Sequence, residues 1–429
     1  MNHTYLHFRN KWRLIVVDKL NLGNSNRLYS EALNLIPGAI LGIRRPYNFV
    51  EGEYPIFFET AKGGKVIDVD RNEYLDMLCA YGPIIIGHRE EEIDNAVINQ
   101  IKNKGFCMSL TQQIQNNLAK KLRELIPCCE KMVFVKTGSD ATTIGVRVAR
   151  GYTKRLKILR CGYHGWHDWC VENKGGIPEK LYEDVHEFEY NNLDQVNGLM
   201  EEYGGEVAAI ILTPINHPGA HEVEMPKPGF LEGLRELADT YGSILIFDEI
   251  RTGFRVSLGG AQEKLGVIPD LGAFGKAMAN GYPISFLGGK KEIMDTLIED
   301  VFLSSTFFPN SLPQVAALKT IEIMEREDVL GNIRKKGEIF AKNITEIIEE
   351  SGVPCRFSGG PWMPYITFDP DSKYLYRQLR EEFYRQLIRR NVFLQPYHHG
   401  YICYRHTEED LDNAANMISE SLKECRRLY

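Results

Sequence analysis

From Lys131 onward, short apolar runs alternate with amphipathic stretches. The runs are MVFV (132–135), KIL (157–159), AAIIL (208–212), SILIF (243–247), LGAF (271–274) and ISFL (284–287). Short unbroken apolar runs predict strands covered on both faces. Between two of them Leu231, Leu234, Leu237, Ala238 and Tyr241 recur at helical spacing, which predicts a helix just before Ser243. Strands separated by helices predict an α/β fold with a mainly parallel sheet. Upstream, the N-terminal part reads as a helix with Ser25 as its cap. Short strands follow within FFETAKGGKVIDVDRNEYLDM, turning at Lys62-Gly63-Gly64. Two amphipathic helices are expected over about 91–102 and 111–126. After about Ser311 the pattern is helical again. The stretch GNIRKKGEIFAKNITEIIEE and a last helix opened by Thr407-Glu408-Glu409-Asp410 flank a few strands. The expected division is an N-terminal segment 1–75, a large domain 76–315 and a small domain 316–429 that packs with the N-terminal segment.

Composition narrows the function classes. With 429 residues and 43% hydrophobic content, the chain can bury a large core. A net charge of −7 leaves no electrostatic footprint for nucleic acid or an anionic membrane. No apolar run approaches the roughly 20 residues that span a bilayer. The opening MNHTYLHFRNKWRLIVVDKL has only a very short apolar stretch, so no signal peptide is expected. Nine cysteines without a CxxC pair, two of them the adjacent Cys128-Cys129, fit reduced thiols in a cytoplasm.

In parallel sheets, ligands gather at the carboxyl ends of the strands. Past MVFV come Thr137, Gly138 and Ser139, opening a helix whose free N–H groups suit an anion such as phosphate; an ordinary helix cap is the alternative. Past KIL comes GYHGWHD, where Tyr163, His164 or Trp166 is placed to stack on a flat ring. His164, His167 and Asp168 are also conceivable metal ligands, but without an HExxH or paired-cysteine pattern no metal is expected. Past SILIF, Asp248 and Ile250 share one face while Glu249 points away. Asp248 is placed to hold a protonated ring nitrogen, with Ile250 packed on the ring, unless it merely pairs with Arg251 or Arg255. Past LGAF comes Lys276 among glycines and alanines. It either snorkels to water or sits in a dry pocket that frees its amine for Schiff-base chemistry. Together, a phosphate cradle, a stacking aromatic, a carboxylate and an amine are what pyridoxal phosphate requires.

At this point VFVKTGSDATTIGVRVAR, GYHGWHD, LIFDEIRTGFRV, LGAFGKAMANGYPI and SSTFFPNSLPQVAAL resemble the class III aminotransferases of pyridoxal-phosphate fold type I. The branch they are most similar to is that of glutamate-1-semialdehyde aminomutase. The resemblance runs from PGAILGIRR at Pro37 to HTEEDLD at His406. It implies a mainly parallel seven-stranded sheet in a large domain, with a smaller α+β domain. Lys276 would carry the Schiff base, Asp248 would pair with the pyridine nitrogen, and Tyr163 and Ile250 would contact the two ring faces. Thr137, Gly138 and Ser139 would hold the phosphate, with His164 beside the cofactor. Thr306 would reach the phosphate of a neighbouring subunit, which implies a homodimer. Arg45, with Arg44 beside it, aligns with an arginine that meets a substrate carboxylate.

The substrate wall departs from the family pattern. Thr213 stands where an acidic residue is usual, His217 where glycine is usual, and Pro218 where some branches place a gating glutamate. Arg251 and Arg405 occupy positions that are commonly neutral or small. These changes, with Arg44, Arg45 and His217, point to an anionic substrate, with or without a phosphate. A structural ion pair is the alternative for each arginine. The leading expectation, from how common transamination is in the family, is an aminotransferase acting on a small anionic carbonyl compound. A decarboxylase of an amino acid or phosphorylated amino acid, a 2,1-aminomutase and a non-catalytic relative are the other readings.

Overall fold

All six apolar runs form strands of one sheet. The computed structural model describes residues 18–219 and 221–428; most of the N-terminal stretch inspected for a signal peptide lies outside them. A hairpin-like start gives β1 (Phe58–Lys62), β2 (Lys65–Asp68) and β3 (Glu73–Asp76). The large sheet then takes β4 (Lys131–Val135), β5 (Lys157–Cys161), β6 (Val185–Glu187), β7 (Val207–Leu212), β8 (Ile244–Asp248), β9 (Leu271–Phe274) and β10 (Ser285–Gly289). Its order is β4-β10-β9-β8-β7-β5-β6. The pairs β6/β5, β5/β7, β7/β8 and β8/β9 are parallel, and β10 alone runs against its neighbours β4 and β9.

Alternation along β8 shows why the runs are apolar throughout. Ile244 and Ile246 enter one core with Ala141, Ile144 and Val148 of the helix Gly138–Thr153. Leu245 and Phe247 enter the opposite core with Leu231, Leu234 and Ala238 of the helix Phe230–Tyr241. Both faces are covered, as a parallel sheet demands. The strand with no apolar run, β6, is a three-residue edge strand, half-exposed, and so gives no hydrophobic signal.

The N- and C-terminal segments meet in a second sheet. After β11 (Cys355–Ser358) and β12 (Tyr365–Phe368), β13 (Val392–Phe393) pairs in parallel with β3, completing the order β1-β2-β3-β13. The turn at Gly63, with φ of 59°, closes β1 onto β2. The expected cap at Ser25 is displaced. The first helix is Gly23–Leu35, and Ser25 lies inside it, its Oγ accepting from the Ile56 and Phe57 N–H groups. Asp70 supplies the cap instead, accepting from the N–H groups of Asn24 and Ser25. A cap from 46 residues away carries no local sequence signal. The last helix, Glu408–Arg426, opens on Thr407 with a reciprocal capping box to Asp410. Among the described residues, no helix is long and apolar enough to cross a membrane.

Candidate active site

The strand ends of β4, β5, β8 and β9 converge on one chamber. Thr137 caps the helix Gly138–Thr153 through a capping box with Asp140, its Oγ1 accepting from the Asp140 N–H at 3.1 Å. The first-turn N–H groups of Gly138 and Ser139 have no intrahelical acceptor and face the helix dipole's positive end. Side chains are stripped from the floor. A methyl on Gly138 would sit 3.0 Å from Ile250, and one on Gly275 would sit 3.3 Å from Ile250 and 2.4 Å from Ser285. Gly165, with φ of 117°, passes so close to Ser139 that a side chain there would collide with its Oγ.

Asp248 ends β8, buried. Its Oδ1 accepts the Ile250 N–H at 3.1 Å, and its Oδ2 lies 2.8 Å from His164 Nδ1. His164 is itself buried and stacks parallel to Trp169 at 6.2 Å. It therefore stands behind the carboxylate and orients it. Glu249 does point away, accepting the Ala261 and Gln262 N–H groups. Tyr163 is exposed and open to a ligand. His167 turns from His164 to Thr143 Oγ1, so the conceivable metal set of that loop does not converge. Among the described residues the one such group is Cys79, Cys403 and His406. There His406 Nδ1 already accepts from the Cys403 N–H and Nε2 faces the Gly64 carbonyl.

Lys276 follows β9 with φ of 41°, a strained left-handed conformation for a side chain of this size. Burial first, then the charge of Arg251, hold its amine well below the usual lysine range; Asp248 pulls the other way, and Arg255 and Arg44 add to the lowering. Lys276 thus gives up its proton more readily than a surface lysine does. Arg251 Nη1 donates to His217 Nδ1 at 2.9 Å and to the His217 carbonyl at 3.3 Å. Since an arginine only donates, His217 Nδ1 accepts and its proton sits on Nε2. His217 stacks on His399 (5.5 Å), which stacks on His398 (4.3 Å), which meets the edge of Tyr81 (5.1 Å). Burial, reinforced by Arg251 and Lys276, pushes all three imidazoles down, so they are neutral.

The other expected substrate residues part company. Arg44 lies 5.1 Å over the Tyr81 ring, and Arg45 lies 6.0 Å over Tyr47. Arg405 is gripped by the Glu90 carboxylate at 3.0 and 2.8 Å, the ion-pair alternative. Thr306 is exposed on a turn. His398, His399 and Tyr81 had no place in the sequence reading. YHHGY is the only hint, and it lies more than 120 residues from Lys276.

The chamber's chemistry fits pyridoxal phosphate. It offers a buried amine of lowered basicity at Lys276, a buried carboxylate at Asp248, free N–H donors at a helix start and a side-chain-free floor under Ile250. Known proteins agree. The family model described as Aminotransferase class-III matches residues 47–359. The chain is 64% identical to a 3-aminobutyryl-CoA aminotransferase of Cloacimonas acidaminovorans, over 96% of this chain and 100% of that protein. It is 33% identical to a glutamate-1-semialdehyde 2,1-aminomutase of Archaeoglobus fulgidus, over 94% and 100%. Among solved structures it is similar to the PLP internal aldimine form of the Sphingopyxis sp. MTA144 FumI protein. That likeness has a TM-score of 0.89 and 28% identity over 94% of this chain and 96% of the other. An omega-transaminase from Sphaerobacter thermophilus gives a TM-score of 0.85 at 25% identity, over 94% and 98%.

Proposed function

Since the chain belongs to the class III aminotransferase family and is a pyridoxal-phosphate-dependent aminotransferase, we propose that its amino donor is a β-amino acyl thioester of coenzyme A and its acceptor a small anionic 2-oxo acid. The observation that carries this reading is the 64% identity to a 3-aminobutyryl-CoA aminotransferase, spanning the whole of that protein. The anionic partner expected from the arginines, with or without a phosphate, is recast. The phosphates of such a thioester sit far from its amine, and the anionic reactant is the 2-oxo acid. Decarboxylation finds no leaving carboxylate on the carbon that bears a β-amine. The amino shift is favoured only by relatives at about half the identity.

When bound, pyridoxal phosphate supplies a carbonyl that takes up the amino group and a ring that accepts electrons as the adjacent C–H proton leaves. Gly138 and Ser139 N–H groups, with Thr137, hold its phosphate. Asp248, kept in place by His164, carries a carboxylate to the ring nitrogen's proton. Ile250 and Tyr163 enclose the ring. The amine of Lys276 takes the proton from the substrate carbon and returns it. Arg251, with Arg44 and Arg45, meets the carboxylates of the 2-oxo acid, and His217 keeps Arg251 in position. Thr306 completes the phosphate site of a second copy, making the enzyme a homodimer. Nine free cysteines, eight of them buried, support a reducing cytoplasm.

The test is holoenzyme with 3-aminobutyryl-CoA and 2-oxoglutarate. Glutamate should appear in step with 3-oxobutyryl-CoA. If L-glutamate alone converts the cofactor while the thioester yields no glutamate, the donor assignment fails and the aminotransferase remains. Sedimentation should show a dimer, and a stable active monomer would remove Thr306 from the site.

A further inference from the structure

A cavity of 210 Å³ lies beside the Lys276 chamber, between the N-terminal segment and the four-stranded sheet. Its walls are Ile40, Phe49, Ile56 and Phe58, all apolar. One end is formed by Tyr81 and Arg44. The Tyr81 ring is edge-on to His398 in the imidazole stack, and Arg44 is among the charges that act on Lys276. The cavity therefore shares Tyr81 and Arg44 with the surroundings of the imidazole stack and of Lys276. Asp76 also lines it, but its oxygens are taken by the Leu78 and Cys79 N–H groups and by His88.

We propose that this cavity carries the pantetheine arm of the donor thioester, an assignment that rests on the coenzyme A reading above. Size favours an arm over a nucleotide. Pockets that enclose a compact ligand run to about 300–1,000 Å³, whereas the 210 Å³ here, mostly apolar, suits a slender chain. The loop at the junction supports it. Cys79, Ala80 and Tyr81 have φ of 46°, 53° and 69°, three consecutive left-handed residues, none of them glycine. Such strain persists where the surroundings hold it, and it gathers at ligand sites. Here it sets the small, exposed Ala80 in the cavity wall and turns Tyr81 to the imidazoles. The end is not wholly apolar, as an arm with two amides requires. The Tyr81 hydroxyl and the Gln395 Nε2 both donate to the Ile43 carbonyl, at 3.3 and 2.9 Å. Arg44 adds a guanidinium to the same lining.

The experiment compares two donors in the half-reaction of the holoenzyme: 3-aminobutyryl-CoA and the S-methyl thioester of 3-aminobutyrate, which lacks the arm. Two variants narrow the cavity from different walls, Ala80→Leu and Ile40→Trp. In the wild type the coenzyme A thioester should be preferred in kcat/KM by about a hundredfold, and each variant that folds should cut that preference by about tenfold. Free coenzyme A, titrated calorimetrically, should bind either variant about tenfold more weakly. An undiminished preference with unchanged coenzyme A binding puts the arm elsewhere and overturns the assignment. Equal use of both thioesters by the wild type overturns it as well. A wild type that uses neither thioester removes the donor reading itself, a failure seen before any variant is made.

Discussion

Lys276 shows how one residue's chemistry depends on its surroundings. A lysine lowered by burial and by the charge of Arg251 is neutral across a range where an exposed one is protonated. The sign is testable in the cofactor-free protein. Borohydride-trapped linkage of pyridoxal phosphate to the Lys276 peptide should rise with pH and level off well below 10.5, the ordinary lysine value. A yield that climbs on through that value would place the amine in water. Lys276→Ala should abolish the link. Asp248→Asn keeps the shape but removes the charge held by His164 and the Ile250 N–H. Cofactor should still bind, while kcat falls by about two to three orders of magnitude, as for other pre-organised charges. Unchanged turnover would assign the ring nitrogen to another group.

At the scale of elements, the chain uses the same capping box twice, Thr137 with Asp140 and Thr407 with Asp410. Each threonine stabilises its helix start by about 1 kcal/mol. Their functional weight should differ, because only the first box opens the helix start proposed to hold the phosphate. Thr137→Ala should both lower the melting temperature and weaken binding of pyridoxal phosphate. Thr407→Ala should lower the melting temperature alone. Equal loss of cofactor affinity in the two would mean that the cradle does not depend on its cap. Both boxes are readable as short sequence patterns. The cap of the first helix is not, because Asp70 reaches it from the turn between β2 and β3.

At the scale of the whole molecule, Arg255 joins three distant pieces. Fully buried, it donates to the carbonyls of Gly82, Ile84 and Ile402 and lies 4.7 Å from the Tyr401 ring. Arg255→Met would keep the bulk and strand three buried carbonyls, each costing about 1–3 kcal/mol. The loop carrying Ala80 and Tyr81 should then loosen from the chamber. Thermal denaturation should show a clear loss of stability, and proteolysis should cut first near residues 79–85. A variant as stable and as resistant as the wild type would make this arginine dispensable to the assembly.

Local pattern determined much about this protein. Six of the seven strands of the large sheet were legible from their apolar runs; β4, at one edge, still buries Phe134 and Val135, whereas β6, at the other, is three residues long and buries none of them. Lys276, Asp248, Ile250 and the Thr137–Ser139 turn were legible because each directly follows a strand end, where a parallel sheet exposes its chemistry. The sequence could not say which arginine serves a ligand. Arg251 and Arg405 each stood beside a motif, and only the fold commits Arg405 to Glu90 and leaves Arg251 with His217 at the chamber. Nor could it foresee the stack of His217, His399 and His398. Those rings come from segments some 180 residues apart, and their neutrality arises from burial beside Arg251 and Lys276, a property of the space around them.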